Sequence, residues 1–258
     1  MIKFSANLST MFTELPFADR FAAAAKAGFT AVELQYVFDK HIAADIKVRT
    51  QDLGLVLNHI NTSAGSPGEA GLAAQCGREE EFAGAMEEAL DNARLLDART
   101  IHVMSGCVAP ANWVAAKETF IKNMQKAGDL ARGMDVALCI EPINTVDRQN
   151  YFVSRSDSII PLLEDIDRPN VKLLFDFYHI QIMEGDLMRR MDRHWPHIGH
   201  FQFAGVPDRH EPDGCEINYP VLFAEIDRRG WRGFAGAEYR PRGATVDGLS
   251  WLTLFQPS

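Results

Sequence analysis

Four short apolar runs in this sequence each end in an oxygen-bearing side chain, and these four residues are where chemistry is first visible. The run 136–140 ends in Glu141, 171–175 in Asp176, 198–201 in Gln202 and 234–237 in Glu238. The separations are 35, 26 and 36 residues (176−141, 202−176 and 238−202), each enough for a loop, a helix and a return. Two glutamates, an aspartate and a glutamine brought together in a partly dry space would repel unless protonated or bridged by a cation. Oxygen ligands without cysteine, with one or two histidines nearby, suit Mg²⁺ or Mn²⁺ better than Zn²⁺. Any one of the four could be merely a polar residue closing a strand. Four in series point to one shared site.

Other residues fall near the same strand ends. His179 follows Asp176 by three positions and could orient on the same rim, although a surface histidine at a helix start is the plainer alternative. Arg209 and Glu211 lie in the loop after the run ending in Gln202, where an arginine could hold a substrate carboxylate through two hydrogen bonds. His59 is near the end of a strand and reads as a further substrate contact, whereas His102 reads as a satisfied core histidine. Glu33 ends a strand with no evident partner. Phe12, Trp113 and Tyr239 could wall the site, yet packing alone would account for them.

These residues need a scaffold that gathers strand ends. Apolar runs of strand length alternate with helical patterns throughout: strands at 3–7, 31–34, 55–60, 100–104, 136–140, 171–175, 198–201 and 234–237. Helices are expected at 16–27, 42–53, 79–96, 115–134, 156–166, 185–193, 219–229 and 247–255. Pro16 opens the first helix and Gly28 closes it, Gly54 ends the second, and Ser154 or Ser156 could cap the fifth. A long Gly-rich loop spans 61–77. Eight strand–helix units over 258 residues predict a parallel α/β architecture closed into a single-domain (β/α)8 barrel. An open doubly wound sheet would call for a Gly-rich turn after the first strand, and residues 7–14 contain no glycine.

Composition narrows the function. The net charge of −9 would repel a nucleic-acid backbone, and no apolar stretch reaches membrane-spanning length. Neither nucleic acid nor membrane is an expected partner. The four cysteines are widely spaced, with no Cys-x-x-Cys, which reads as reduced thiols in a cytoplasmic protein. A homo-oligomer remains open.

Taken in order, Ile140-Glu141-Pro142-Ile143-Asn144, Asp176-Phe177-Tyr178-His179, His200-Phe201-Gln202-Phe203-Ala204, Arg209-His210-Glu211-Pro212 with Glu216-Ile217-Asn218-Tyr219, and Gly236-Ala237-Glu238-Tyr239 resemble the hydroxypyruvate isomerase family. That family belongs to the xylose isomerase-like TIM barrels, which also include sugar epimerases and endonuclease IV. The resemblance extends along the whole chain. It implies that Glu141, Asp176, Gln202 and Glu238 bind one divalent metal, with Glu141 and Glu238 as the catalytic acid and base. It further implies interconversion of a small hydroxy-keto acid, hydroxypyruvate with tartronate semialdehyde, through an enediolate. His179, Arg209, Glu211 and His59 would contact substrate. Isomerisation of a 2-oxo-tetronate or a ketose is the alternative; a DNA-repair nuclease or a non-catalytic binding barrel fits less well. One departure stands in the Gly-rich loop, where Ala70 replaces an arginine frequent among relatives, so substrate choice could differ.

Overall fold

The computed structural model describes residues 1–36 and 40–255. Eight parallel strands close into a barrel in sequence order: β1 (Lys3–Asn7), β2 (Ala31–Leu34), β3 (Val56–Asn61), β4 (Thr100–His102), β5 (Ala137–Ile140), β6 (Val171–Asp176), β7 (Ile198–Phe203) and β8 (Phe234–Ala237). Closure is made by β1 beside β8, with Lys3 opposite Phe234 and Ala6 opposite Ala237. The helices are α1 (Phe17–Lys26), α2 (Lys40–Asp52), α3 (Glu79–Leu96), α4 (Trp113–Leu130), α5 (Ile159–Ile166), α6 (Phe177–Met183), α7 (Leu187–His194), α8 (Tyr219–Arg228) and α9 (Ser250–Phe255). Among the described residues, no helix is long and apolar enough to cross a membrane.

Local chemistry explains the boundaries. Helix α1 stops where Gly28 adopts φ 96°, a left-handed backbone that a side chain would oppose. Helix α3 carries Glu79, Glu80 and Glu81 in its first turn and Arg94 in its last, complementing the helix dipole at both ends. At α5 the expectation of a Ser154 or Ser156 cap fails. The helix begins at Ile159 after a short 3₁₀ turn, and the Ser156 amide is satisfied instead by Glu184 Oε2 at 2.8 Å. Between β6 and α7 lies a helix that the sequence pattern did not separate. Asp176 accepts a hydrogen bond from the Tyr178 amide at 2.8 Å and so caps α6 directly at the strand end.

The two faces of the sheet divide the labour. Outward-facing aromatics pack beneath the helices, with Phe4 edge-on to Phe203, Phe223 and Trp251 at centroid distances of 5.7, 5.0 and 5.3 Å. The inward face is polar instead of aliphatic. Residues two apart on one strand share a face, so Ser5 with Asn7, His200 with Gln202, and Gly236 with Glu238 point into the barrel. They meet there: Ser5 reaches Glu33, and Asn7 reaches Glu238. A barrel filled with aliphatic layers would be inert. This one carries hydrogen-bonding groups from its middle to its C-terminal rim.

Candidate active site

At the C-terminal face a cavity of about 250 Å³ is lined by residues including His102, Glu141, Asp147, His179, Arg209 and Glu238. Glu141 immediately follows β5, and Glu238 immediately follows β8. Asp176, the last residue of β6, lies beside Gln202 in the sheet register, and Gln202 lies beside Gly236. Four of the predicted residues thus sit at one end of the barrel. All four are almost entirely buried.

The carboxylates differ in how they are satisfied. Glu238 Oε1 accepts from Asn7 and Gln35, both at 2.9 Å, and Oε2 accepts from Arg209 Nη2 at 2.6 Å. Glu141 Oε1 and Asp176 Oδ2 are buried without a hydrogen-bond donor. Burial, followed by repulsion from Asp176 and Glu238, pushes Glu141 well above the carboxylate range. Burial likewise pushes Asp176 up to about 7, against the pull of Arg209. A desolvated pair of like charges takes up a proton or a cation.

His179 completes the cluster. Among the described residues, Glu141, Asp176 and His179 offer atoms within 4.8 Å of one another. The imidazole's second nitrogen constrains its role, because Nδ1 faces the Asn144 backbone N–H at 3.3 Å and the Asn144 side-chain amide at 2.7 Å. An N–H can only donate, so Nδ1 accepts and the ring proton sits on Nε2. Nε2 lies 3.6 Å from Glu141 Oε1 and 3.7 Å from Asp176 Oδ2. Burial, with help from Arg209 and His102, holds His179 well below the usual imidazole pKa, so the ring is a neutral donor aimed at the site. Asn144 is itself fixed, accepting from the Asp147 amide at 2.8 Å and donating to Asp147 Oδ2 at 3.1 Å.

Arg209 adopts φ 57°, a conformation uncommon for a side-chain-bearing residue and frequent at functional loops. Its guanidinium lies 5.0 Å from the Tyr178 ring centroid, 3.7 Å from Asp147 Oδ2 and 3.9 Å from Asp176 Oδ2. The backbone strain and the aromatic face together hold a cation over three carboxylates.

Two predicted contacts lie elsewhere. His59 is fully buried two residues below the end of β3, stacked on His200 at 4.7 Å and 2.7 Å from Thr100 Oγ1; Asn61, at the strand end, is the residue that lines the cavity. Glu211 faces the C-terminal segment, accepting from the Arg242 amide at 3.0 Å, and a Cβ on Gly248 would stand 2.5 Å from its Oε1. It does not line the cavity. Phe12 and Tyr239 are buried in the core, and Trp113 packs on Phe152 away from the cavity. In the other direction, His102 belongs to the site after all. Strand β4 ends at His102 instead of continuing to residue 104, so its Nδ1 reaches Glu141 Oε2 at 3.1 Å. Glu33, which had no evident partner, has three: Ser5, His200 and Gln202.

A closed eight-stranded parallel barrel with polar groups converging on its C-terminal face defines a TIM-barrel enzyme scaffold. Residues 21–254 match the family model for the xylose isomerase-like TIM barrel, and the chain belongs to that family. It is 44% identical to 2-oxo-tetronate isomerase of Cupriavidus necator, over 98% of each chain. It is 35% identical to hydroxypyruvate isomerase of Escherichia coli, again over 98% of each. Relationships of this strength make the chain an enzyme with isomerase activity. Among solved structures, a Brucella melitensis protein described as an AP endonuclease of family 2 superposes with a TM-score of 0.95 and 41% identity over the whole of both chains. A 3-keto-D-glucoside 4-epimerase from E. coli shares the fold alone, with a TM-score of 0.83 at 18% identity over 98% of this chain and 100% of that one.

Proposed function

We propose that this isomerase moves a proton between C3 and C2 of a short 2-oxo-3-hydroxy acid. The supporting observation is a pair of buried carboxylates, Glu141 and Asp176, each with an oxygen lacking a donor beside a cavity that also receives Glu238 and Arg209. The donor set fits a divalent cation. Glu141, Asp176, Gln202 and Glu238 would hold Mg²⁺ or Mn²⁺, because oxygen ligands and buried negative charge match a hard cation. The Gln202 amide nitrogen already donates to Glu33 at 2.9 Å, which leaves its carbonyl oxygen as the ligand end. When bound, such an ion acidifies the carbon-bound proton next to a carbonyl and stabilises negative charge on the oxygens.

The protein groups do the proton work. One glutamate of the pair Glu141 and Glu238 takes the C3 proton, and its electron pair passes into an enediolate. The other glutamate returns a proton to C2, the C3 hydroxyl gives up its proton and becomes the carbonyl, and the former C2 carbonyl oxygen takes up that proton to become a hydroxyl. His179 donates Nε2–H to the developing oxyanion. Arg209 exchanges Glu238 Oε2 for the substrate carboxylate, so that substrate entry frees the glutamate.

Hydroxypyruvate and a 2-oxo-tetronate share this reacting core and differ by a terminal hydroxymethyl group. We favour the four-carbon acid. Two relatives, at 44% and 42% identity, are named 2-oxo-tetronate isomerases, against 35% for the hydroxypyruvate isomerase of Escherichia coli. Hydroxypyruvate remains the second substrate to test, as the chemistry is identical. A nuclease reading is disfavoured by the net charge of −9.

The test is turnover of both acids in deuterium oxide by chelator-treated protein, with and without Mn²⁺. Metal-restored conversion with deuterium at C2 is expected, with the larger kcat/KM for the 2-oxo-tetronate. Conversion that survives Glu141→Gln or Glu238→Gln at full rate would remove these residues from the proton transfer.

A further inference from the structure

Below the proposed ligands lies a second polar assembly. Glu33, on β2, is completely buried at the centre of the barrel. Its Oε1 accepts the Ser5 hydroxyl at 2.6 Å, and its Oε2 accepts the Gln202 amide at 2.9 Å. His200 Nε2 stands 2.9 Å from Oε1, though off the hydrogen-bond axis. His200 is in turn braced by the parallel ring of His59 at 4.7 Å.

Space for this carboxylate is built into β8. A Cβ on Gly236 would stand 2.4 Å from Glu33 Oε2 and 2.5 Å from Oε1. Gly236 pairs with Gln202 in the sheet and precedes Glu238 by two residues on the same face. The glycine therefore admits Glu33 to a position directly beneath the ligand layer.

A glutamine ligand has a problem that a carboxylate lacks. Its two ends are nearly identical in shape, but only the oxygen can bind a cation. We infer that Glu33 is a positioning residue whose carboxylate, being an acceptor only, captures the Gln202 NH₂ and so commits the Gln202 carbonyl oxygen to the metal layer. Ser5 and His200 keep Glu33 in place, and Gly236 gives it room. This inference rests on the proposal that Gln202 is a metal ligand.

Mn²⁺ titration of the full-length metal-free protein, followed by calorimetry or electron paramagnetic resonance, tests it without reference to turnover. Glu33→Gln is expected to weaken Mn²⁺ binding about 10- to 100-fold, the usual cost of losing a group that orients a ligand. Exchanging the pair, Glu33→Gln with Gln202→Glu, reverses the hydrogen bond: the amide introduced on β2 donates, and the carboxylate introduced on β7 keeps one oxygen for the metal. The double variant is expected to recover affinity that the single variant lost. A purely structural role would lower the melting temperature of both variants and leave the Mn²⁺ affinity of the folded fraction unmoved. Gln202→Ala separates the two readings. If it leaves Mn²⁺ affinity unchanged, Gln202 is not a ligand, and the ligand set proposed above fails together with this inference. If it weakens binding while folded Glu33→Gln does not, only the orienting role is overturned. Should Glu33→Gln not fold, Glu33→Asp keeps the charge but withdraws the acceptor by one methylene. Weaker Mn²⁺ binding is then expected, and unchanged binding overturns the inference.

Discussion

Two glutamates are buried inside this barrel in adjacent layers, and their protonation is driven in opposite directions. Burial pushes both up. For Glu33 the charge and contact of His200, the charge of His59 and the Ser5 hydroxyl outweigh it, and the pKa falls to about 2. For Glu141 the neighbouring charges are Asp176 and Glu238, which add to burial, and Arg209 offsets only part of the rise. The same side chain, similarly buried, is fully partnered in one layer and an unfinished site in the next. Partners, not burial, separate a structural carboxylate from a reactive one.

That contrast can be broken by neutralising each glutamate in the metal-free protein at pH 8. Glu33→Gln removes the charge that His200 and Gln202 were arranged around, and breaking a buried pair costs about 3 kcal/mol. Its melting temperature is expected to fall. Glu141→Gln relieves a repulsion that Arg209 balances only in part, so its metal-free melting temperature is expected to rise, by about 1 kcal/mol in stability. Its turnover should nevertheless fall about 10²- to 10⁴-fold with loss of acid–base chemistry. Destabilisation of similar size by both variants, measured by thermal denaturation without metal, would erase the distinction.

A smaller effect is expected at the rim. Asn144→Ala removes the amide that holds His179 Nδ1 as an acceptor, while the backbone N–H remains to do part of the work. We expect kcat to fall about tenfold, or about 1.4 kcal/mol, with KM nearly unchanged, because the lost interaction orients a transition-state donor. A rise in KM alone would place His179 in ground-state substrate binding.

How much of this could be read beforehand depended on distance along the chain. Glu141, Asp176, Gln202 and Glu238 were legible because each ends an apolar run, and strand ends in a closed barrel must converge. Depth within a strand was harder to read. His59 read as a substrate contact and His102 as a core histidine, yet β3 continues two residues past His59 while β4 stops at His102. Loop hydrogen bonding sets those end points, as where the Met104 amide turns to Thr62 Oγ1 at 3.1 Å. Helix α6 escaped notice because one residue, Asp176, is both strand end and helix cap. Glu33 could not be interpreted because its partners lie 28, 167 and 169 positions away (33−5, 200−33 and 202−33). Strand β1 is its neighbour in the sheet, but only ring closure brings β7 within reach across the barrel.

The last test of the contrast compares the metal-free protein with Asp176→Asn across pH. Burial pushes Asp176 up to about 7 from the ordinary 3.8, so between those values the folded chain holds a proton that the unfolded chain has released. Stability from this group is therefore present at low pH and lost as pH rises through 7. Between pH 6 and 8 the metal-free protein is expected to lose on the order of 1 kcal/mol, a few degrees in melting temperature, relative to Asp176→Asn. The buried, neutral His59, His102 and His179 make stability rise through pH 6.5 in both proteins and cancel in the difference, and the window of Glu33 lies lower, between about 2 and 4.5. Saturating Mn²⁺ should abolish the fall or invert it, because the cation competes with the same proton and binds more tightly as the proton leaves. A difference between the two melting curves that is flat from pH 6 to 8 would mean that Asp176 and Glu141 already have cationic compensation, and that Arg209 supplies more of it than its 3.9 Å distance from Asp176 suggests.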